Sequence, residues 1–201
     1  MTCKEWYSFI LQSELEETGP NGENRLIPCR VELKLELHDW SQSWRLARLK
    51  GLSSQCLSFL WKLLHELLPT KERQNRILRN GNGANCAICG ETDNISHALA
   101  TCRKSSPVFN WVKHGLELFC SDLTTEKILL LDIKINTPLP HNELPVIWFL
   151  STALSKLWEQ REAGRRCQLE EIKAYVIAKN NHVKHSKFND MSIIIDQMIS
   201  V

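Results

Sequence analysis

The 201-residue chain has no long hydrophobic run. Its longest apolar stretches, such as 128–131 and 146–150, are only a few residues, against the roughly 20 that a bilayer-spanning helix needs, so a helical membrane protein is excluded and no membrane partner is expected. The first residues, MTCKEWYSFILQSELEE, turn acidic before an apolar stretch of signal-peptide length can develop. The expected location is therefore the cytoplasm or nucleus. Nucleophile motifs are lacking as well. There is no Gly-x-Ser-x-Gly and no Gly-rich phosphate loop, and His182 and His185 stand in a polar segment without a nearby Cys. Neither an internal repeat nor a low-complexity tract is visible. What is present is a globular composition, 43% hydrophobic and 24% charged.

Eight cysteines then need a reading. In a reducing compartment they are buried thiols or metal ligands rather than disulfides. Cys3, Cys29, Cys56, Cys120 and Cys167 have no Cys or His at ligand spacing and read as small buried hydrophobes. The net charge of +2 conceals an uneven distribution: residues 1–40 hold 4 Lys or Arg against 8 Asp or Glu, residues 41–120 hold 11 against 5, and residues 121–201 hold 10 of each. The middle third is the basic one, which favours nucleic acid only weakly.

Along the chain, Trp6, Phe9, Ile10 and Leu15 suggest a short helix, GPNGEN at 19–24 a loop, and the alternation of Val31, Leu33, Leu35 and Leu37 with charged residues a strand. Trp40, Trp44 and Ala47 mark a helical face. Ser53 is a plausible N-cap for a helix whose buried stripe is Cys56, Phe59, Leu60, Leu63, Leu64 and Leu67, ended by Pro69. Thr70 can cap the next helix, which carries Lys71, Arg73, Arg76 and Arg79 mostly off the face of Ile77 and Leu78 and stops at Gly81 and Gly83. Ser106 and Pro107 suit the cap and first position of a helix buried through Val108, Trp111, Val112 and Phe119. Residues 128–135 (ILLLDIKI) fit strand or buried helix equally. Val146, Phe149, Leu150, Ala153, Leu154, Leu157, Trp158 and the stem of Arg161 form a long helical stripe, and two more helices follow around Leu169–Val176 and Phe188–Met198. The expected fold is mainly α, with helices flanking a small metal loop and at most one or two short strands. Its expected organisation is a lead segment (1–40), a zinc-binding domain (41–120) and a helical tail (121–201).

One constellation carries chemistry. Cys86, Cys89, His97 and Cys102 form C-x2-C-x7-H-x4-C within 17 residues, the ligand number and type of a tetrahedral zinc site. Two thiolates two residues apart can clasp one ion from a tight turn, and Gly90 permits the positive φ such a turn needs. Four protein ligands fill the shell, so a structural Zn2+ is expected rather than a catalytic one. Structural zinc is worth about 10 to 16 kcal/mol in small finger peptides, while this loop has only Ile88, Ile95 and Leu99 to bury.

Taken together, SFLWKLLHELLPTKERQNRI at 58–77 and CAICGETDNISHALATC at 86–102 resemble the zinc-binding domain that follows the reverse transcriptase in LINE-type (non-long-terminal-repeat) retrotransposon polyproteins. The similarity covers about residues 40–120, and WFLSTALSKLWEQR at 148–161 resembles the helical tail beyond it. The resemblance implies the C-terminal region of such an element, or a remnant or host-derived copy, with an upstream polymerase domain as an expected partner. No paired aspartates after a Tyr-x and no N-terminal endonuclease are seen in this sequence. In the family this region is thought to hold template RNA or target DNA near the polymerase.

The loop GETDNIS has no aromatic for base stacking and carries Glu91 and Asp93, so it is a poor base reader. Phosphate contacts are expected instead from Lys71, Arg73, Arg76, Arg79, Arg103 and Lys104, which predicts weak, sequence-tolerant binding of RNA or DNA. Two other classes compete with this accessory role. One is a protein-interaction or folding module without nucleic acid. The other is a restriction-like nuclease using Asp122, Asp132 and Lys134, two carboxylates for a divalent ion and a Lys for developing charge. Asp122 lacks a preceding Pro and helical patterns follow Lys134, so no enzymatic activity is expected.

Overall fold

A computed structural model describes residues 40–78, 83–136, 138–165 and 167–201. The expected helix, loop and strand of the lead segment therefore lie outside the described residues, as do Cys3, Cys29 and Arg79.

The fold is mainly helical. Its elements are α1 (Trp40–Leu46), α2 (Ser54–Leu64), α3 (Lys71–Leu78), a π-helical turn (His97–Thr101), α4 (Ser106–Glu117), β1 (Cys120–Ser121), α5 (Thr125–Leu129), β2 (Lys134–Ile135), α6 (Leu144–Glu162), α7 (Leu169–Lys184) and α8 (Asn189–Ile199). The two strands pair antiparallel, with Cys120 opposite Ile135 and Ser121 opposite Lys134.

Helix α6 is the centre of the molecule, packed by α2, α4, α7 and α8. Its burial exceeds a single stripe: Val146, Ile147, Phe149, Leu150, Ala153, Leu154 and Leu157 are fully covered, and Ser151, Thr152 and Ser155 are buried as well. Polar groups on a helix so covered must still satisfy their hydrogen bonds. Ser151 and Ser155 do so by donating to the carbonyls of Trp148 and Thr152, at 3.3 and 3.2 Å. Trp111 of α4 meets Phe149 of α6 edge-on at 5.1 Å between ring centroids, a favoured aromatic arrangement. The apolar cluster draws on residues from both the 41–120 and the 121–201 segments, from Leu46 to Met198.

Local signals explain most boundaries. Ser53 caps α2 by accepting from the Cys56 N–H (3.2 Å), and Thr70 caps α3 by accepting from the Arg73 N–H (3.3 Å). Two expectations shift. Helix α2 ends at Leu64 and Glu66 takes a positive φ of 51°, so the chain leaves helical phase and Leu68, not Leu67, enters the core. The residue preceding α4 is Ser105 rather than Ser106, and its buried hydroxyl makes no cap but donates to the Ala98 carbonyl at 2.6 Å.

Residues 128–135 resolve as neither a strand nor a helix throughout. Ile128 and Leu129 end α5, Leu131 turns at φ 59°, and only Lys134–Ile135 is strand. This segment also receives α1. Ser43 donates to the Leu130 carbonyl at 2.5 Å and Gln42 to the Ile133 carbonyl at 3.1 Å.

Candidate metal centre

The C-x2-C half of the site lies on a tight reversal. Asn85 bridges Thr92, the Cys86 N–H donates to the Glu91 carbonyl (2.6 Å), the Gly90 N–H donates to the Cys86 carbonyl (2.9 Å), and the Asp93 N–H closes onto Ala84 (2.8 Å). Gly90 takes φ 80°, the conformation expected from its place after Cys89.

The H-x4-C half depends on the π turn. At 3.6 residues per turn an α-helix would place residues five apart about 140° round its axis. The π turn closes instead with an i→i+5 bond from the Cys102 N–H to the His97 carbonyl, 2.8 Å, and both side chains reach one point. Asn94 fixes its start by accepting from the His97 N–H at 2.7 Å.

The ligand atoms of Cys86, Cys89, His97 and Cys102 all lie within 4.8 Å of one another. The sulfurs of Cys86 and Cys102 are 3.8 Å apart, and His97 Nε2 is 3.1 Å from the Cys89 sulfur. These four residues can hold a metal ion. Nε2 faces the cluster while Nδ1 faces outward, 3.1 Å from a Glu91 carboxylate oxygen and 3.3 Å from the Thr101 hydroxyl. A carboxylate on the outer ring nitrogen fixes the tautomer and orientation of a ligating histidine.

The electrostatics favour a thiolate at Cys86, whereas at Cys89 the Glu91 backbone lowers the thiol but burial and the neighbouring Cys86 and Cys102 sulfurs raise it overall. Burial alone would raise the Cys86 thiol, but hydrogen bonds from the Ile88 backbone, the His97 side chain and the Cys89 backbone outweigh it and bring it down to about 6. Arg161 adds a cation. Burial disfavours its charge, yet the Asp93 carboxylate and the sulfurs of Cys102 and Cys86 raise its pKa overall. By contrast, burial pushes Cys120 up to about 12. Cys120 and Cys56 are buried and Cys167 half-buried, as small apolar side chains would be.

Asp93 is the part of the loop that spacing rules do not reveal. It is buried, pairs with Arg161 Nη2, and accepts the Lys71 N–H at 3.1 Å through its other carboxylate oxygen. One carboxylate thus joins the metal loop to the start of α3 and the end of α6. Its position at the N-terminus of α3 is also favourable to negative charge. In the sequence, only the Arg161 stem that completes the α6 stripe hints at this pairing.

The expected phosphate-contacting set divides. Lys71, Arg76 and Arg103 are exposed and Lys104 half-exposed. Arg73 is 5% exposed and is not a surface cation. It lies on the one face that α3, an almost wholly polar helix, buries, and guanidinium nitrogens Nε and Nη2 are buried along with its stem. Among the alternative nuclease residues, Asp122 is exposed just after β1 with φ 55°, Asp132 is half-buried between α5 and β2, and Lys134 is exposed on β2. The paired strands that carry this region are two residues each.

Among the described residues, no helix is long and apolar enough to cross a membrane. Comparison with protein-family models, curated proteins and solved structures finds no match to this chain.

Proposed function

We propose that Cys86, Cys89, His97 and Cys102 hold a structural zinc ion, and that the chain is a non-catalytic nucleic-acid-binding accessory region of the kind that follows a LINE-type reverse transcriptase, or a remnant or host-derived copy of one. The observation that carries the zinc reading is the 3.8 Å separation of the Cys86 and Cys102 sulfurs. A tetrahedron with metal–sulfur bonds of about 2.3 Å has an edge of about 3.8 Å. Three thiolates and an imidazole are also zinc's preferred donors, and four protein ligands leave no position for a reacting water. When bound, the ion supplies a crosslink. It fastens the Cys86–Gly90 reversal to the π turn in a loop with few side chains of its own to bury.

The nucleic-acid half rests on the resemblance of 58–77 and 86–102 to the retrotransposon domain, together with the exposure of Lys71, Arg76 and Arg103 and the half-exposure of Lys104. These contacts are to phosphate, since the loop offers no aromatic. The test is fluorescence anisotropy of the zinc-loaded full chain with labelled single-stranded RNA and DNA of unrelated sequences at low salt. The proposal expects binding to both, similar across sequences and weakened by salt. Absence of binding at low salt would favour a protein-interaction module, such as one docking on an upstream polymerase domain.

A further inference from the structure

Exposed cations become a binding surface only when the fold gathers them, and one cleft beside the metal centre does so. It has a volume of about 590 Å³ and lies between the start of α3, the Cys86–Ile88 turn, Lys104 and the end of α6 with the turn beyond it. Lys71, Lys104 and Arg165 reach it from three separate stretches of chain. Arg161 lines it too, but its charge is matched by Asp93. Glu162 is the one further carboxylate in the lining. Among the described residues, none of Lys71, Lys104 and Arg165 has a carboxylate within 4.0 Å, although Glu159, chiefly hydrogen-bonded to Lys156, lies near enough for Arg165 to help hold its carboxyl down.

All three are held by rigid local structure tied to the centre. The Lys71 N–H is fixed by Asp93. Lys104 sits in the turn between Cys102 and α4, where the Ser105 and Ser106 N–H groups both donate to the Cys102 carbonyl at 2.8 Å. Arg165 belongs to the cap of α6. Gly164 takes φ 66°, its N–H donates to the Arg161 carbonyl (3.0 Å), and the Arg165 N–H donates to Gln160 (2.9 Å), a left-handed glycine termination. Like charges gathered in a concavity focus a positive potential that attracts polyanions. The only aromatic in the lining, Trp158, is 6% exposed, so bases have no stacking platform and the ligand is recognised through its backbone.

We infer that this cleft binds the phosphate backbone of a nucleic acid through Lys71, Lys104 and Arg165. The inference rests on the nucleic-acid-binding reading above and gives it a surface. Arg165 is a contact that the sequence pattern alone does not single out.

The test uses the zinc-loaded full chain and a labelled mixed-sequence single-stranded RNA 20-mer, with anisotropy measured from 50 to 200 mM salt. Three phosphate contacts give a log–log slope of about −2, or about 20-fold weakening across that range. The triple variant Lys71→Gln, Lys104→Gln, Arg165→Gln is expected to flatten the slope by about 2, leaving only what Arg76 and Arg103 contribute, and to bind at least tenfold more weakly at 50 mM. A control triple, Lys134→Gln, Lys179→Gln, Lys187→Gln, removes the same charge from exposed positions outside the cleft and is expected to stay within twofold of wild type. If the cleft triple fails to fold, Arg165→Gln alone is expected to flatten the slope by about 0.7. A cleft variant that binds like wild type, or a control that loses as much, overturns the cleft and leaves the nucleic-acid reading standing. No binding by wild type at 50 mM overturns both.

Discussion

Asp93 in the loop of the candidate metal site, buried, and Arg161 near the end of α6, half-buried and 68 residues away, form an ion pair that also touches the start of α3. Removing one member of such a pair leaves a buried charge without its partner, which costs about 3 kcal/mol or more. Arg161→Met, which strands the buried Asp93 carboxylate, is expected to destabilise the chain by about that amount in denaturant titration, and Asp93→Asn by less, since Arg161 lines the open cleft. The double variant is expected to be less destabilised than the two effects added, because the members share one interaction.

Arg73→Ala separates a structural from a binding role. Because Arg73 is buried, its removal is expected to lower the melting temperature by several degrees, as about 1 to 2 kcal/mol does in a chain of this size. The salt dependence of nucleic-acid binding should be unchanged in protein that remains folded.

Gly115 in α4 would ordinarily gain about 1 kcal/mol of helix propensity on replacement by Ala. Here the added Cβ would stand 2.7 Å from the Met198 carbonyl oxygen and 2.9 Å from the Phe149 ring. The backbone of α8 cannot yield as a flexible side chain would. Gly115→Ala is therefore expected to be net destabilising, by about 1 kcal/mol or more, measured by thermal melting.

Burial raises the Cys120 thiol from 9.0 in the open chain to about 12. Below pH 9 the thiol is neutral in both folded and unfolded chains, and its contribution to stability is fully present. Above pH 9 the unfolded chain ionises first, so that contribution is lost as pH rises toward about 12. Alkylation mapping at pH 8 is expected to leave Cys120 unmodified in folded protein, and pH titration of the denaturation midpoint to show a decline beginning near pH 9.

Legibility in the sequence follows the range of the interactions. The four candidate ligands, the Gly90 turn and the Ser53 and Thr70 caps are readable because each depends on residues close in sequence, the ligands within 17 positions and the turn and caps within a few. The long α6 helix is readable from its stripe. Its burial on the remaining face is not, since that depends on how α2, α4, α7 and α8 surround it. Glu91 and Asp93 read as charges that spoil a nucleic-acid loop. In the fold one faces the outer nitrogen of His97 and the other pairs with Arg161, a partner that no spacing rule within the loop could supply. Arg73 misleads for the same reason. Helical spacing places it on a polar helix, but only packing decides which face of that helix is covered. At 128–135 the apolar run is ambiguous because both answers apply in turn, with the change occurring at Leu131.

The metal content of the purified full chain, by native mass spectrometry and cobalt substitution, tests the central claim most directly. One zinc per chain is expected, with cobalt giving thiolate charge-transfer bands, and Cys102→Ser is expected to weaken binding and lower the melting temperature. A chain that binds no metal, or whose stoichiometry and stability are unchanged in Cys102→Ser, would contradict it.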